Sequence, residues 1–212
     1  ANYSKGLQVP GTDSLYNAFF FAPNTASARP APETTDNFDM GLRFRSGNIL
    51  AQASGWYTKY QNRLASAYDP ETDRNLYRNL GGVDKYGIDG SVAFRPVENL
   101  SLYVFGSWMK SKIQENVQAG TCNAAQVTTG ALGCTTVGQA AFYATKGKRE
   151  SGAPAYNYGA SARGTLGPVE LGITAKRTGG RFIYDTNEPL GFGGRQVYPA
   201  KTNAYWMVNL DA

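Results

Sequence analysis

Histidine is absent from all 212 residues. Without an imidazole, the chain has neither a Ser-His-Asp triad nor a Cys-His pair to draw on. No spacing marks a pair of carboxylates for acid–base work either, so no enzymatic activity is expected. Cysteine is scarce: Cys122 and Cys134 stand alone in a polar Gly/Ala/Thr-rich stretch. Two thiols with no histidine make a poor zinc site. They read as a disulfide closing a small loop outside the cytosol, or else as two unreactive thiols. No apolar run approaches the roughly 18 residues of a membrane helix, which excludes a helical membrane protein. A β-barrel stays open, because half of every barrel strand faces a polar lumen. The net charge of +5 would suit nucleic acid, but no basic run reaches five residues. No nucleic-acid partner, metal or cofactor is expected. "YDPETD" alternates Asp69, Glu71 and Asp73 without the central glycine or distal glutamate of a calcium loop. The glycine-rich 179–181 and 191–195 lack a phosphate-binding pattern.

What the chain has instead is tyrosine, phenylalanine and glycine, at 14, 10 and 25 residues, a mixture suited to strands and tight turns. In "NFDMGLRFRSGNIL", Phe38, Met40, Leu42 and Phe44 alternate with Asp39, Gly41, Arg43 and Arg45 before a Ser46-Gly47-Asn48 turn. Period two predicts a strand with one apolar face. The same reasoning predicts strands at 13–21, 36–45, 49–61, 85–95, 100–112, 156–166, 169–177 and 202–212, and no helix. The connections alternate strictly. Segments 22–35, 62–84, 113–155 and 178–201 are long; 46–48, 96–99 and 167–168 are tight. In an up-and-down sheet all the long loops then lie at one end, as in outer-membrane barrels.

The apolar registers are Phe38/Met40/Leu42/Phe44, Tyr86/Ile88/Gly90/Val92/Phe94, Leu100/Leu102/Val104/Gly106/Trp108, Tyr158/Ala160/Ala162/Gly164/Leu166, Val169/Leu171/Ile173/Ala175 and Ala204/Trp206/Val208/Leu210; none contains a charge. Strand 49–61 is ambiguous, since Leu50 and Trp56 share a register with Gln52 and Ser54. Phe38, Tyr86, Trp108, Tyr158 and Trp206 fall at the long-loop end of these faces and Phe44 and Phe94 at the other, the pattern of two aromatic girdles around a lipid-facing band.

Basic residues collect near the long-loop end: Lys59, Arg63, Lys110, Lys112, Lys146, Lys148, Arg149, Arg177, Arg181 and Lys201. Such a rim suits the phosphates of lipopolysaccharide, or is a solvated loop surface. Tyr68, Tyr77, Arg78, Arg181, Phe182, Tyr184 and Phe192 are the ligand-binding candidates, because rings give stacking area and guanidinium grips carboxylate or phosphate.

Residues 32–64, with Pro32-Glu33, Phe38-Asp39-Met40-Gly41-Leu42 and Tyr57-Thr58-Lys59-Tyr60-Gln61-Asn62, resemble a strand hairpin of TonB-dependent outer-membrane receptors. Residues 79–108, with Tyr86-Gly87-Ile88-Asp89-Gly90 and an Arg-Pro turn, resemble the next hairpin, and 156–182 a later one. The resemblance implies an all-β, antiparallel up-and-down transmembrane barrel, of which residues 1–212 form about eight strands of a 22-stranded whole. The plug domain, the TonB-contacting segment and the last strands would be absent from this sequence. It implies a receptor in the bacterial outer membrane, in contact with lipid and lipopolysaccharide. Such a receptor binds a scarce nutrient, a ferric siderophore first and an oligosaccharide next, and imports it with energy from the TonB complex. The absence of histidine disfavours haem. Two alternatives stand beside this: a complete eight-stranded barrel acting as anchor or adhesin, and a soluble β-sandwich binding carbohydrate through its loops.

Overall fold

The structure, a computed structural model, describes residues 1–9, 32–69, 74–192 and 195–212. The chain runs through β1 (Asn2–Gln8), β2 (Glu33–Ser46), β3 (Ile49–Gln61), β4 (Leu64–Asp69), β5 (Arg74–Asn79), β6 (Val83–Val97), β7 (Leu100–Ile113) and β8 (Val117–Thr121). A short helix α1 (Ala124–Thr129) follows, then β9 (Ala140–Tyr143), β10 (Tyr156–Leu166), β11 (Val169–Thr178), β12 (Leu190–Phe192), β13 (Arg195–Tyr198) and β14 (Tyr205–Asp211). Eight strands form one antiparallel sheet in the order β1-β2-β3-β6-β7-β10-β11-β14. Long and short connections alternate along it as the sequence indicates.

The long connections carry structure of their own: the hairpins β4–β5, β8–β9 and β12–β13. Period-two reasoning misses these short strands, and it misses β1, whose Asn2–Gln8 shows little apolar alternation. The strand expected at 13–21 lies outside the described residues. The expectation of no helix is also corrected. Six residues are too few for an apolar period, but Asn123 and Gln126 form a reciprocal capping box and Gly130 closes α1 in the left-handed conformation. Gly47 and Gly167, at φ 49° and 62°, make the two-residue turns after β2 and β10.

Register decides which residues share a face. Phe38 lies opposite Tyr57, and Tyr57 opposite Tyr86. The ambiguous β3 therefore turns Ile49, Ala51, Ala53, Gly55 and Tyr57 to the apolar face, and Leu50, Gln52, Ser54 and Trp56 to the other. Trp56 belongs there because its indole N–H donates to Asp89 at 2.7 Å. Its ring also covers Gly87, where a Cβ would approach the ring to 2.7 Å.

The apolar face is not a core. Leu42, Leu166 and Leu210 are 81%, 75% and 77% exposed, and Phe38, Ile88, Val104, Trp108, Trp206 and Val208 are exposed beside them. An apolar expanse of this extent is incompatible with water on that side. Nor does a second sheet cover it among the described residues, as a sandwich would require. The band has a constant height. Eight residues separate Phe38 from Ser46, Tyr86 from Phe94, Trp108 from Leu100 and Tyr158 from Leu166. That is about 26 Å along a strand, or about 20 Å along the membrane normal at a tilt near 40°.

The girdle does not follow the hydrogen-bonded rows. Trp108 lies opposite Ile88, two residues nearer the turns than Tyr86, and Tyr158 opposite Gly106, two nearer again. The turn line drops equally: the row Ile49–Phe94–Leu102–Ala162 ends β2 and β3 at one end, while β10 continues four residues further to Leu166. Such a stagger is the shear of tilted strands in a barrel wall. Tyr86–Trp108 and Tyr158–Trp206 meet edge-to-face at 6.0 and 5.7 Å along it. One step beyond the row Tyr3–Phe38–Tyr57–Tyr86, the same face turns ionic, with Lys5, Asp36, Lys59, Asp84 and Lys112 in one row of alternating sign.

Candidate functional site: the loop crown

At the long-loop end the loops fold against the polar face of the sheet. Leu80, Val83, Ile113 and Val117 make a small buried cluster there, with Tyr60 packed on it. Val83 and Ile113 are opposite one another on β6 and β7, and Leu80 and Val117 come from the loops on either side. This is where apolar side chains are buried by folding, about 1.5–3 kcal/mol for each that leaves water fully.

Beside it lies a charge cluster. Arg63, just past β3, reaches Glu33 at 3.0 Å and Glu150 at 3.2 Å, and Lys85 of β6 forms a second ion pair with Glu150. Glu33 and Glu150 are buried, at 3% and 7% exposure. Burying isolated carboxylates would be costly; two cations for two anions remove most of that cost. Burial works against the charge on Arg63, but Glu150 and Glu33 outweigh it and hold the guanidinium above its ordinary pKa. The ring of Tyr60 lies 4.7 Å from Arg63 and 5.0 Å from Lys85, adding cation–π attraction. One guanidinium thus joins the end of the first long loop (Glu33), the start of the second (Arg63) and the end of the third (Glu150).

The longest connection carries a lobe with no charged residue from Asn116 to Thr145. The expected disulfide is there: Cys122 and Cys134 are bonded, with Cα atoms 5.7 Å apart. They form a second buried cluster with Ala141, flanked by Ala119, Val127 and Leu132. Thr145 pins the neck, its hydroxyl accepting from Val117 N–H at 2.9 Å and donating to the Glu115 carbonyl at 3.0 Å.

The ligand-binding candidates fall into two groups. Arg181, Phe182 and Tyr184 lie together in the last long loop, where Phe182 bridges to Lys201 and Arg181 exchanges hydrogen bonds with Thr202. Lys201 Nζ sits 5.6 Å from the Phe182 ring. Arg181 is exposed; Phe182 and Tyr184 are half-buried. Phe192 is further along the same loop, at the end of β12 opposite Arg195. Tyr68, Tyr77 and Arg78 belong to the separate β4–β5 hairpin, whose register puts positions 68 and 77 on one face and 78 on the other.

The basic rim does not form one patch. Arg63 and Arg149 turn inward, and burial draws Arg149 below its ordinary pKa. Lys148 pairs with Glu188 at 3.6 Å. Lys59, Lys110 and Lys112 stand on the side of the exposed apolar face, and Arg177 lies over Trp206 there. Sequence reasoning gave no site role to Glu33, quoted only for the hairpin resemblance, nor to Lys85, Glu150, Asp185 and Asn187. The only signal was a lone acid, Glu150, closing the basic run Lys146–Arg149.

Comparison with known proteins agrees with this architecture. The family model described as TonB dependent receptor-like, beta-barrel matches residues 1–212. No curated protein sequence matches the chain. Among solved structures, the ferric yersiniabactin uptake receptor FyuA from Yersinia pestis is similar at 15% identity and a TM-score of 0.60, over 98% of this chain and 26% of that one. The copper transporter OprC gives 11%, 0.64, 98% and 27%, and the ferric-catecholate import receptor Fiu from K12 E. coli 16%, 0.57, 98% and 25%. At such identities the likeness is one of fold, and the chain spans about a quarter of the length of each.

Proposed function

The chain belongs to the TonB-dependent receptors of the bacterial outer membrane, and on that premise we propose that residues 1–212 form part of the wall of a larger, plugged barrel that imports a scarce nutrient. The nutrient class we favour is a ferric siderophore, captured by the loop crown and drawn through the lumen with energy that TonB delivers through a plug domain. The observation that carries this reading is the exposed, uncharged band between two aromatic girdles, with every long loop gathered at one end. Neither alternative is favoured: among the described residues β1 and β14 are the two ends of the strand order, not neighbours in a closed eight-stranded ring, and no partner sheet of a sandwich covers the apolar face. Arg181, Phe182 and Tyr184, with Phe192, Tyr68, Tyr77 and Arg78, are the side chains we assign to the ligand. Lys59, Lys110 and Lys112, standing just above the aromatic line, suit outer-leaflet lipopolysaccharide phosphates.

The test is iron-limited growth of a host whose own iron receptors have been deleted, supplied with ferric enterobactin or ferric yersiniabactin. The protein should restore growth on at least one, and loss of TonB should abolish it. Failure on both, with no quenching of tryptophan fluorescence by either complex, would sink the siderophore reading.

A further inference from the structure

The segment between the disulfide lobe and β10 is held on both sides. Residues Lys148–Gly152 alternate their partners as a strand does. On one side the Lys148 carbonyl accepts from Ile113 N–H at 2.9 Å and Glu150 N–H donates to Ser111 Oγ at 3.1 Å, both on β7. On the other, Arg149 N–H donates to Asn187 Oδ1 at 2.7 Å, and the Arg149 carbonyl accepts from Asn187 Nδ2 at 2.8 Å. Ser151 N–H donates to Asp185 Oδ1 at 2.8 Å, and Gly152 N–H to the Phe182 carbonyl at 2.9 Å. The Arg149 guanidinium also reaches back to the Met109 carbonyl at 2.9 Å. The strap is therefore stitched to the sheet through Lys148, Glu150 and the Arg149 guanidinium, and to the loop 182–187 through the backbone of Arg149, Ser151 and Gly152.

Its only buried charge is Glu150, whose carboxylate is held by Arg63 and Lys85. No hydrogen bond or ion pair links Glu150 directly to residues 181–188 among the described contacts. Yet its neighbours Arg149 and Ser151 make the contacts that tie the side chains of Asn187 and Asp185 to the strap. Asn187, at φ 55°, in turn donates through its backbone and side chain to the Tyr184 carbonyl. Asp185 is buried at 3%, so the loop carrying Arg181, Phe182 and Tyr184 is held by the strap on one side and by residues 200–202 on the other.

We propose that Lys148–Gly152 is a tie between the buried ion cluster and the ligand loop, with Glu150 as a positioning residue. The grip of Arg63 and Lys85 on its carboxylate fixes the strap, and the strap fixes residues 181–188. The described ends of four long loops are then tied to one another, because the same cluster already joins Glu33, Arg63 and Glu150. The coupling stands on these contacts alone; its consequence for binding rests on the assignment of Arg181, Phe182 and Tyr184 to the ligand.

Hydrogen exchange on the whole protein in detergent micelles tests it. Glu150→Gln should speed exchange of the amides in 183–188 by about tenfold or more, although Glu150 touches none of them. Exchange in β10 and β11 should be unchanged, and Glu188→Gln, which removes only an exposed pair, should leave 183–188 at the wild-type rate. Glu150→Asp should restore part of the protection. Ser111→Ala, which removes only the acceptor of the Glu150 N–H, covers the case in which Glu150→Gln does not assemble; it should accelerate the same amides about threefold. Acceleration confined to 148–152, or none, overturns the proposal. Ferric enterobactin dissociation separates the two claims. A rise of about fivefold in Glu150→Gln with an unchanged association rate supports positioning of the ligand loop. Faster exchange at 183–188 with unaltered dissociation upholds the tie and removes Arg181, Phe182 and Tyr184 from the ligand site.

Discussion

Arg63 is one of ten basic residues that lie near the long-loop end in sequence, and nothing in the sequence separates it from Lys59 or Lys112. Its role comes from partners 30 and 87 residues away, brought to it by loops whose return paths leave no periodic trace. Replacing it with methionine keeps most of the stem but sets two buried carboxylates against the single ammonium of Lys85. The expected loss is about 3–5 kcal/mol, the cost of orphaning a buried charge, read as the shift in urea midpoint of the protein in micelles. A loss below about 1 kcal/mol would mean that water reaches Glu33 and Glu150. Trp56 shows the converse case. Sequence alone left its face undecided because large and small residues mix on both sides of β3, and one hydrogen bond to Asp89 together with the gap at Gly87 settles it.

At the scale of elements, β2, β6, β7, β10 and β11 were legible because an uncharged exposed face imposes a strict rule on alternate residues. The registers read from the sequence are the ones the sheet uses. The hairpins inside the loops obey no such rule. Their strands are three to six residues long, and they are held by local contacts rather than by one apolar face. The disulfide lobe is the most self-contained of these pieces. Converting Cys122 and Cys134 to serine releases a 12-residue link, worth about 3 kcal/mol by the chain-entropy argument. Protection against exchange should fall across 117–143 and stay unchanged in β2 and β3. Equal loosening of the sheet would show that the lobe is not independent of it.

For the whole molecule, the three tryptophans of the chain sample the two faces of the wall. Trp108 and Trp206 sit in the girdle, while Trp56 points to the polar side. In single-tryptophan variants reconstituted into bilayers with brominated acyl chains, Trp108 and Trp206 fluorescence should be quenched strongly and Trp56 weakly. Strong quenching of Trp56 would reverse the assignment of faces. Fold class and location were legible at this scale because loop-length alternation, uncharged faces and aromatic placement all report one environment, the bilayer. The ligand was not, because the crown is built from tertiary contacts such as the Arg149–Asn187 pair that no spacing encodes.

The uncharged lobe carries one more consequence. Long exposed loops are where proteases cut first, and many secreted proteases cleave after lysine or arginine. Between Lys112 and Lys146 this chain offers neither. The stretch that reaches furthest from the sheet in sequence is closed to trypsin-like enzymes by composition, whatever its motion, and the disulfide would keep the ends of any other cut between Cys122 and Cys134 together.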